Sequence, residues 1–383
     1  MIYLDNAATT PLFPEVKQVM IAHIHSNEYG NPSSVHALGR KSRNAVEDAR
    51  EQIALSIHAN ASEIIFTGSG TESINSAIMG AAFANQQHGK HLITSTIEHH
   101  AVLHTCQYLE SLGWDVTYIP VSGDGVVDVQ RIRSAVRKDT ILISIMYANN
   151  EMGAIQPIQE IASICKQNKI LFHCDMVQAY GQCDINVQEL MVDMMSTSAH
   201  KIHGPKGIGF LYLRRGLPWH PYIHGGKQER GRRAGTENVA AILGFAKASE
   251  VTSNQLQEKQ QTLFTLKQAF LDIIQNEIPV GTWIINGQGQ SLPSILNISF
   301  LGIDAETLMI SLDLTGIACS HGSACTSGSL EPSHVLKAMN LSDERIKGAL
   351  RFSFSVMNTI EEVKTAALEI SKQVMNLQRK VKL

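Results

Sequence analysis

The chain has 383 residues, enough for about two to three domains that each bury a core. With 32 Lys+Arg against 35 Asp+Glu the formal charge is −3, which argues against nucleic acid or an anionic membrane as the main partner. Hydrophobic residues make up 44% and charged residues only 17%, so long disordered stretches are excluded. The longest apolar stretches, 77–84 and 141–148, fall short of the roughly 18 residues a membrane span needs. Asp5 interrupts the start, where a secretory signal needs a basic residue and then an apolar run, so export is not expected. Cysteines at 106, 165, 174, 183, 319 and 325 are too sparse for a disulfide scaffold and form no Cys-x-x-Cys pair. The expected setting is a reducing cytoplasm.

Through the first two-thirds of the chain, short apolar runs alternate with longer amphipathic ones. Strands are expected at 63–67, 91–96, 116–120, 141–148, 170–175, 191–196 and 208–213, with helices at 72–84, 101–112, 128–136 and 157–167. Near-continuous apolar strands in this rhythm read as an α/β domain whose mostly parallel sheet is covered on both faces. The three runs between 170 and 213 leave little room for helices, so some antiparallel pairing is expected there. A helix follows at 237–251. Composition then turns to polar helical sequence across 252–290, with Gly287-Gln-Gly289 near its end, and this divides a large domain (15–251) from a smaller α+β domain (252–383 with 1–14). Strands of the smaller domain are expected at 295–300, 316–319 and 350–354. Its last helix repeats Ile360, Val363, Ala367, Ile370, Val374, Leu377 and Val381 at spacings of 3 and 4, opened by a Thr359-x-x-Glu362 capping box.

Four places could carry chemistry. Thr67-Gly-Ser-Gly-Thr-Glu72 follows a strand and opens a helix, where backbone N–H groups and the helix end favour an anion such as phosphate. A plain glycine turn would read the same way, and Ser73 stands where a dinucleotide fingerprint needs its third glycine. Asp175 closes an apolar strand, a costly place for a carboxylate unless a cation or strong donor meets it; a pyridinium nitrogen would serve. Lys201, in Ser198-Ala-His-Lys201, follows a strand and precedes Gly/Pro punctuation, which suits a crevice at the sheet's C-terminal edge. Cys325 has small polar neighbours without apolar periodicity, whereas Cys319 ends an apolar run and reads as a buried strand residue. His100 and His104 lie four apart on an expected helix, but no carboxylate or cysteine completes a ligand set, so no metal is expected. His99 could instead lay its ring on a flat cofactor.

Together these pieces resemble a cysteine desulfurase of the NifS/IscS type, a pyridoxal-phosphate enzyme of the class V aminotransferase-like superfamily. The resemblance runs through Tyr3-Leu-Asp-Asn-Ala-Ala-Thr-Thr-Pro11, Gly30-Asn-Pro-Ser-Ser34, Gly70-Thr-Glu72, Glu98-His99, Asn149-Asn-Glu151, Asp175-x-x-Gln178, His200-Lys201, Arg233-Ala-Gly-Thr236, Gly322-Ser-Ala-Cys325 and Arg351-Phe-Ser353. It implies fold type I, an α/β large domain with a mixed, mostly parallel sheet plus a smaller α+β domain. It further implies a pyridoxal 5'-phosphate Schiff base at Lys201, Asp175 on the pyridine nitrogen, Gln178 and Asn150 on the ring-hydroxyl side, and His99 stacked on the ring. Phosphate would be held by Gly70, Thr71, Ser198 and His200, with Thr236 reaching in from the second subunit of a homodimer. Asn31 and Arg351 would hold the carboxylate of L-cysteine, and Cys325 would take its sulfur as a persulfide for an acceptor or scaffold protein, leaving L-alanine. Met176 and Ser355-Val356-Met357 depart from the family's common pattern. Selenocysteine lyase shares the constellation, and a silent sulfur-relay partner shares the fold. A nicotinamide dehydrogenase has only the incomplete glycine loop behind it.

Overall fold

The computed structural model describes residues 1–322 and 332–381. A short strand, β1 (Ile2–Tyr3), stands apart from the next seven: β2 (Ile64–Thr67), β3 (His91–Ser95), β4 (Asp115–Ile119), β5 (Thr140–Ser144), β6 (Leu171–Asp175), β7 (Met194–Ser198) and β8 (Gly209–Leu213). These form one sheet in the order β2-β8-β7-β6-β5-β3-β4. Neighbouring side chains point to opposite faces of a strand, and the sequence uses this directly. Ile93, Ile143, Phe172, Met195 and Phe210 enter a core shared with the helices Ala37–Leu55, Ile158–Asn168 and Val239–Asn254. Their chain neighbours Leu92, Leu142, Leu171, Met194 and Leu211 enter the opposite core, against the helices Gly70–Asn85 and His100–Ser111. Such two-sided burial produces the apolar runs from which an α/β sheet was expected.

Antiparallel pairing occurs where the sequence predicts it. β8 lies between β2 and β7 and runs opposite to both, while β7 and β6 are parallel. Gly209 is thereby opposite both Thr67 and Ser198, and a Cβ there would come within 2.5 Å of Thr197 O and 2.9 Å of Ser69 C. Glycine lets the turn after β2 and the turn after β7 lie side by side. Two strand boundaries in this sheet differ from expectation by three residues or more. The strand expected at 191–196 starts at Met194, because Met191 takes a left-handed backbone (φ 54°) that closes the helix Val187–Leu190. The strand expected at 141–148 ends at Ser144: Tyr147 N–H still reaches Asp175 O of β6, but on the other side β3 has ended and Met146 N–H donates to the Glu98 carboxyl instead.

A second core gathers Leu4 with apolar residues from Leu263 to Val374. It contains the antiparallel sheet of β9 (Trp283–Ile285), β10 (Ile295–Phe300) and, past β11 (Ile317–Ala318), β12 (Ala349–Ser353), in the order β12-β10-β9. β11 pairs in parallel with β1. The last helix, Ile360–Val381, opens with the expected box: Glu362 N–H donates to Thr359 Oγ1 at 3.1 Å and Thr359 N–H to Glu362 Oε2 at 2.9 Å. The helices Pro14–His25 and Ala37–Leu55 were not among the expected elements, and the polar stretch after 252 carries the long helix Leu256–Glu277. No helix among the described residues is long and apolar enough to cross a membrane.

Candidate active site

The C-terminal ends of the central strands open onto a cavity of about 460 Å³. Its wall includes Gly70, Thr71, His99, Asn150, Asp175, Gln178, Ser198, His200, Lys201 and Arg351, so the geometry brings together nearly all the predicted site residues. Such a position, at strand ends in an open α/β sheet, is where ligands of this architecture bind.

Each side chain has a structural reason to be there. Ser69 caps the helix Gly70–Asn85 by accepting from Glu72 N–H at 3.1 Å. A Cβ on Gly70 would approach Val177 Cγ2 to 2.9 Å and Ser198 Cβ to 3.3 Å, so only glycine keeps this helix end close to the cavity. Lys201 ends a single 3₁₀ turn, Ala199–Lys201, and its Nζ donates to Ala7 O at 2.6 Å and Ala8 O at 2.8 Å. Asp175 ends β6 almost fully buried, one oxygen accepting from Val177 N–H at 2.9 Å. Burial pushes its carboxyl up to about 6, against the opposing pull of that N–H and of Lys201. His99 caps the next helix, its Nδ1 accepting from Ala101 N–H at 3.0 Å. Burial, reinforced by Lys201, pushes the ring down to about 4, so it is neutral at pH 7 with its proton on Nε2.

Beneath His99, Glu98 is fully buried and accepts from Ser95 Oγ at 2.6 Å and from Met146 N–H at 3.0 Å. Burial pushes this carboxyl up to about 8 despite those donors. The folded chain therefore holds a proton there that the unfolded chain releases above about 4.5, and the associated stability, complete below that pH, is lost as pH rises through 8. In denaturant titrations of cofactor-free protein, Glu98→Gln should gain on the wild type between pH 5 and 8.5 by an amount on the order of a few kcal/mol. A pH-independent difference would refute a proton held at Glu98.

Arg351, on β12, is 1% exposed. Its Nη1 donates to Asn150 O at 2.8 Å and its Nη2 to Asp5 Oδ1 at 2.7 Å, but its buried Nε has no hydrogen-bond partner among the described residues. An unmet guanidinium donor at a cavity wall suits an anionic ligand group.

Two predicted residues lie away from this wall. Asn31 is exposed, its Oδ1 accepting from Ser33 N–H at 2.8 Å. Thr236 is exposed, a few residues beyond Arg233, which pairs with Glu72 at 2.8 and 3.1 Å. Cys325 lies outside the described residues. Sequence reasoning missed Ala7 and Ala8, which act through carbonyls that no side chain announces, and Met146, Lys206 and Gly207, which also line the cavity. Of the cysteines, Cys106, Cys165 and Cys174 are buried as expected and Cys319 is partly so. Among the described residues no three His, Cys, Asp or Glu side chains are arranged to hold a metal.

The donor set fits a phosphorylated aromatic ring bearing a basic nitrogen and an aldehyde: a helix end and hydroxyls for phosphate, a buried carboxyl for the nitrogen, an amine for the carbonyl. The fold and this set define an enzyme of the aminotransferase class, and the Aminotransferase class-V family pattern matches residues 2–365, so the chain belongs to that family. Within it the chain falls among the IscS-type cysteine desulfurases. It is 49% identical over 362 residues to "Cysteine desulfurase IscS" of Dictyoglomus turgidum (strain DSM 6724 / Z-1310), covering 94% of this chain and 91% of that protein. It is 47% identical to "Putative cysteine desulfurase IscS 1" of Bacillus subtilis (strain 168), covering 98% and 99%. Among solved structures, a "NIFS-LIKE PROTEIN" superposes with a TM-score of 0.91 at 39% identity over 98% of this chain and 99% of that one. "SspA in complex with cysteine" superposes at 0.83, with 36% identity over 94% and 100%.

Proposed function

We propose that the chain is a pyridoxal-phosphate-dependent cysteine desulfurase that converts L-cysteine to L-alanine and carries the sulfur on Cys325. The observation behind this reading is that Lys201, Asp175 and His99, from three separate elements, line one cavity in a chain of this family. Lys201 would hold the cofactor through Nζ, Asp175 its ring nitrogen, Gln178 and Asn150 its ring-hydroxyl side, and His99 one face of the ring. Gly70, Thr71, Ser198 and His200 would hold its phosphate, with Thr236 contributed by the second chain of a homodimer. When bound, the cofactor supplies an electron sink for bond breaking at the substrate's Cα and Cβ.

The remaining work falls to the chain's own groups. Arg351, oriented by Asp5 and Asn150 O, holds the substrate carboxylate through its guanidinium, with Asn31 assisting. Lys201 Nζ, kept on the cavity side by the Ala7 and Ala8 carbonyls, takes the Cα proton and later returns one. Neutral His99 can donate from Nε2 without adding charge beside Lys201. The Cys325 thiolate attacks the substrate sulfur, the S–Cβ bond breaks as the S–S bond forms, and protons added to the carbon fragment give alanine. Sulfur then passes to an acceptor or scaffold protein, as in iron-sulfur cluster assembly or tRNA thiolation, in the cytoplasm.

The test is direct: protein given pyridoxal phosphate, L-cysteine and dithiothreitol should release sulfide and alanine in equal amounts. Faster turnover of selenocysteine would replace the substrate assignment, and absence of a visible cofactor band would overturn the reading.

A further inference from the structure

Glu151 is 1% exposed, and nothing in the chemistry above uses it. Its backbone is fixed: its N–H donates to Asn149 Oδ1 at 2.8 Å and its carbonyl accepts from Asn297 Nδ2 at 3.3 Å. Its neighbour Asn150 lines the cavity and bonds Arg351. The carboxyl meets both flanks of segment 323–331. On the far side Ser333 Oγ donates to Oε2 at 2.6 Å. On the near side a methyl on Gly322 would lie 3.3 Å from that same Oε2 and 3.5 Å from Ser333 Cβ. Each flank is also tied to the site: Ser320 exchanges main-chain hydrogen bonds with Arg351, and the His334 ring meets Glu98 O at 3.0 Å. Oε1 has no partner among the described residues, and burial pushes the carboxyl above its ordinary range, favouring the neutral form. Burying an incompletely bonded carboxyl is costly, and packing alone would be met better by an apolar side chain.

We infer that Glu151 is a positioning residue that joins the two flanks of segment 323–331 next to Asn150 of the cavity, and so fixes the point from which Cys325 is delivered to the substrate. This rests on the reading of Cys325 as the sulfur carrier. Glu151 touches no reacting atom in this scheme; it acts through Ser333 and Gly322.

The experiment compares Glu151→Ala, Ser333→Ala and Glu151→Gln in two measurements. In single-turnover persulfide formation, both alanine variants should slow by roughly ten- to a hundredfold, with the cofactor band and the KM for L-cysteine unchanged. Glu151→Gln keeps an acceptor for Ser333 Oγ and should recover most of the rate, and the double alanine variant should be no slower than Ser333→Ala, which cuts the bond to Glu151 and also the Ser333 cap on Leu336 N–H. In cofactor-free protein, amide hydrogen exchange across 318–335 should accelerate in the alanine variants and not in Glu151→Gln. Ser342→Ala, which removes the cap of the next helix, Asp343–Lys347, is the control and should change neither measurement. If Glu151→Ala does not fold, Ser333→Ala carries the test alone. Unchanged rate and exchange in the alanine variants would overturn the inference, as would loss of the cofactor band in them. Wild-type protein that forms no persulfide on Cys325 would instead overturn the functional reading, and the exchange measurement still reports on the joint without turnover.

Discussion

Lys201→Ala should abolish the visible cofactor band and reduce desulfurase turnover by at least about ten-thousandfold, because the proposed function gives one residue both the holding of the cofactor and the movement of the Cα proton. Three lysines compete for this role. Lys206 also lines the cavity but, among the described residues, has no counterpart to the paired carbonyls that hold Lys201 Nζ at 2.6 and 2.8 Å. Burial pushes the Lys259 amine down to about 8, toward its neutral, nucleophilic form. However, its Nζ donates to Gly181 O at 2.8 Å and it lines a small void behind Lys201 rather than the main cavity. Borohydride reduction followed by peptide mapping should therefore put the label on residue 201. A label on Lys206 or Lys259 would overturn the assignment, and a Lys201→Ala protein that keeps its band would do the same.

Cys325→Ser should bind the cofactor and L-cysteine normally yet lose sulfide release by at least about a thousandfold, whereas Cys319→Ser should keep most activity. Thiolate is the nucleophile, so the argument turns on which thiol can ionise. Burial, with Asp5 adding, pushes Cys319 up to about 12, and burial does the same to Cys106; Cys183 is pushed to about 11, and Cys165 and Cys174 are also raised. A thiol at 12 is ionised in only about one molecule in a hundred thousand at pH 7. All five cysteines among the described residues are thus poorly suited to attack. Trapping the persulfide with an alkylating probe should place the extra sulfur on the peptide containing Cys325; finding it on Cys319 would reverse the assignment.

The sheet was legible because burial on both faces leaves a local trace: adjacent apolar residues such as Leu92 and Ile93, or Met194 and Met195, serve opposite cores. Spacing left open which strand reverses, which is β8, but some antiparallel pairing between 170 and 213 was legible from it. The helix Ala37–Leu55 was not, because its buried face includes Arg50, whose Nη1 and Nη2 both meet Glu229 deep in the fold, so polarity there reports a long-range partner rather than solvent. Asp175, Lys201 and His99 stood out as polar residues at element ends. Ala7 and Ala8 did not, since a carbonyl that orients an amine belongs to every residue. Glu151 was visible in the sequence only as part of a motif; its contact with Ser333 spans 182 residues.

Residues 2–10 lace the two cores together. Ile2 and Leu4 bond to Gly316 and Ala318, Ala7 N–H donates to Ser353 Oγ across 346 residues, and Thr10 N–H donates to His200 O. This stretch leaves the ribosome long before most of its partners exist. A nascent chain halted between β8 and β12 holds all seven strands of the large sheet, but it lacks both Arg351 and Ser353, which anchors Asn6 and Ala7. The order of synthesis therefore delays a complete cavity until translation is nearly finished, and unfinished chains are denied the geometry that would let them handle reactive sulfur.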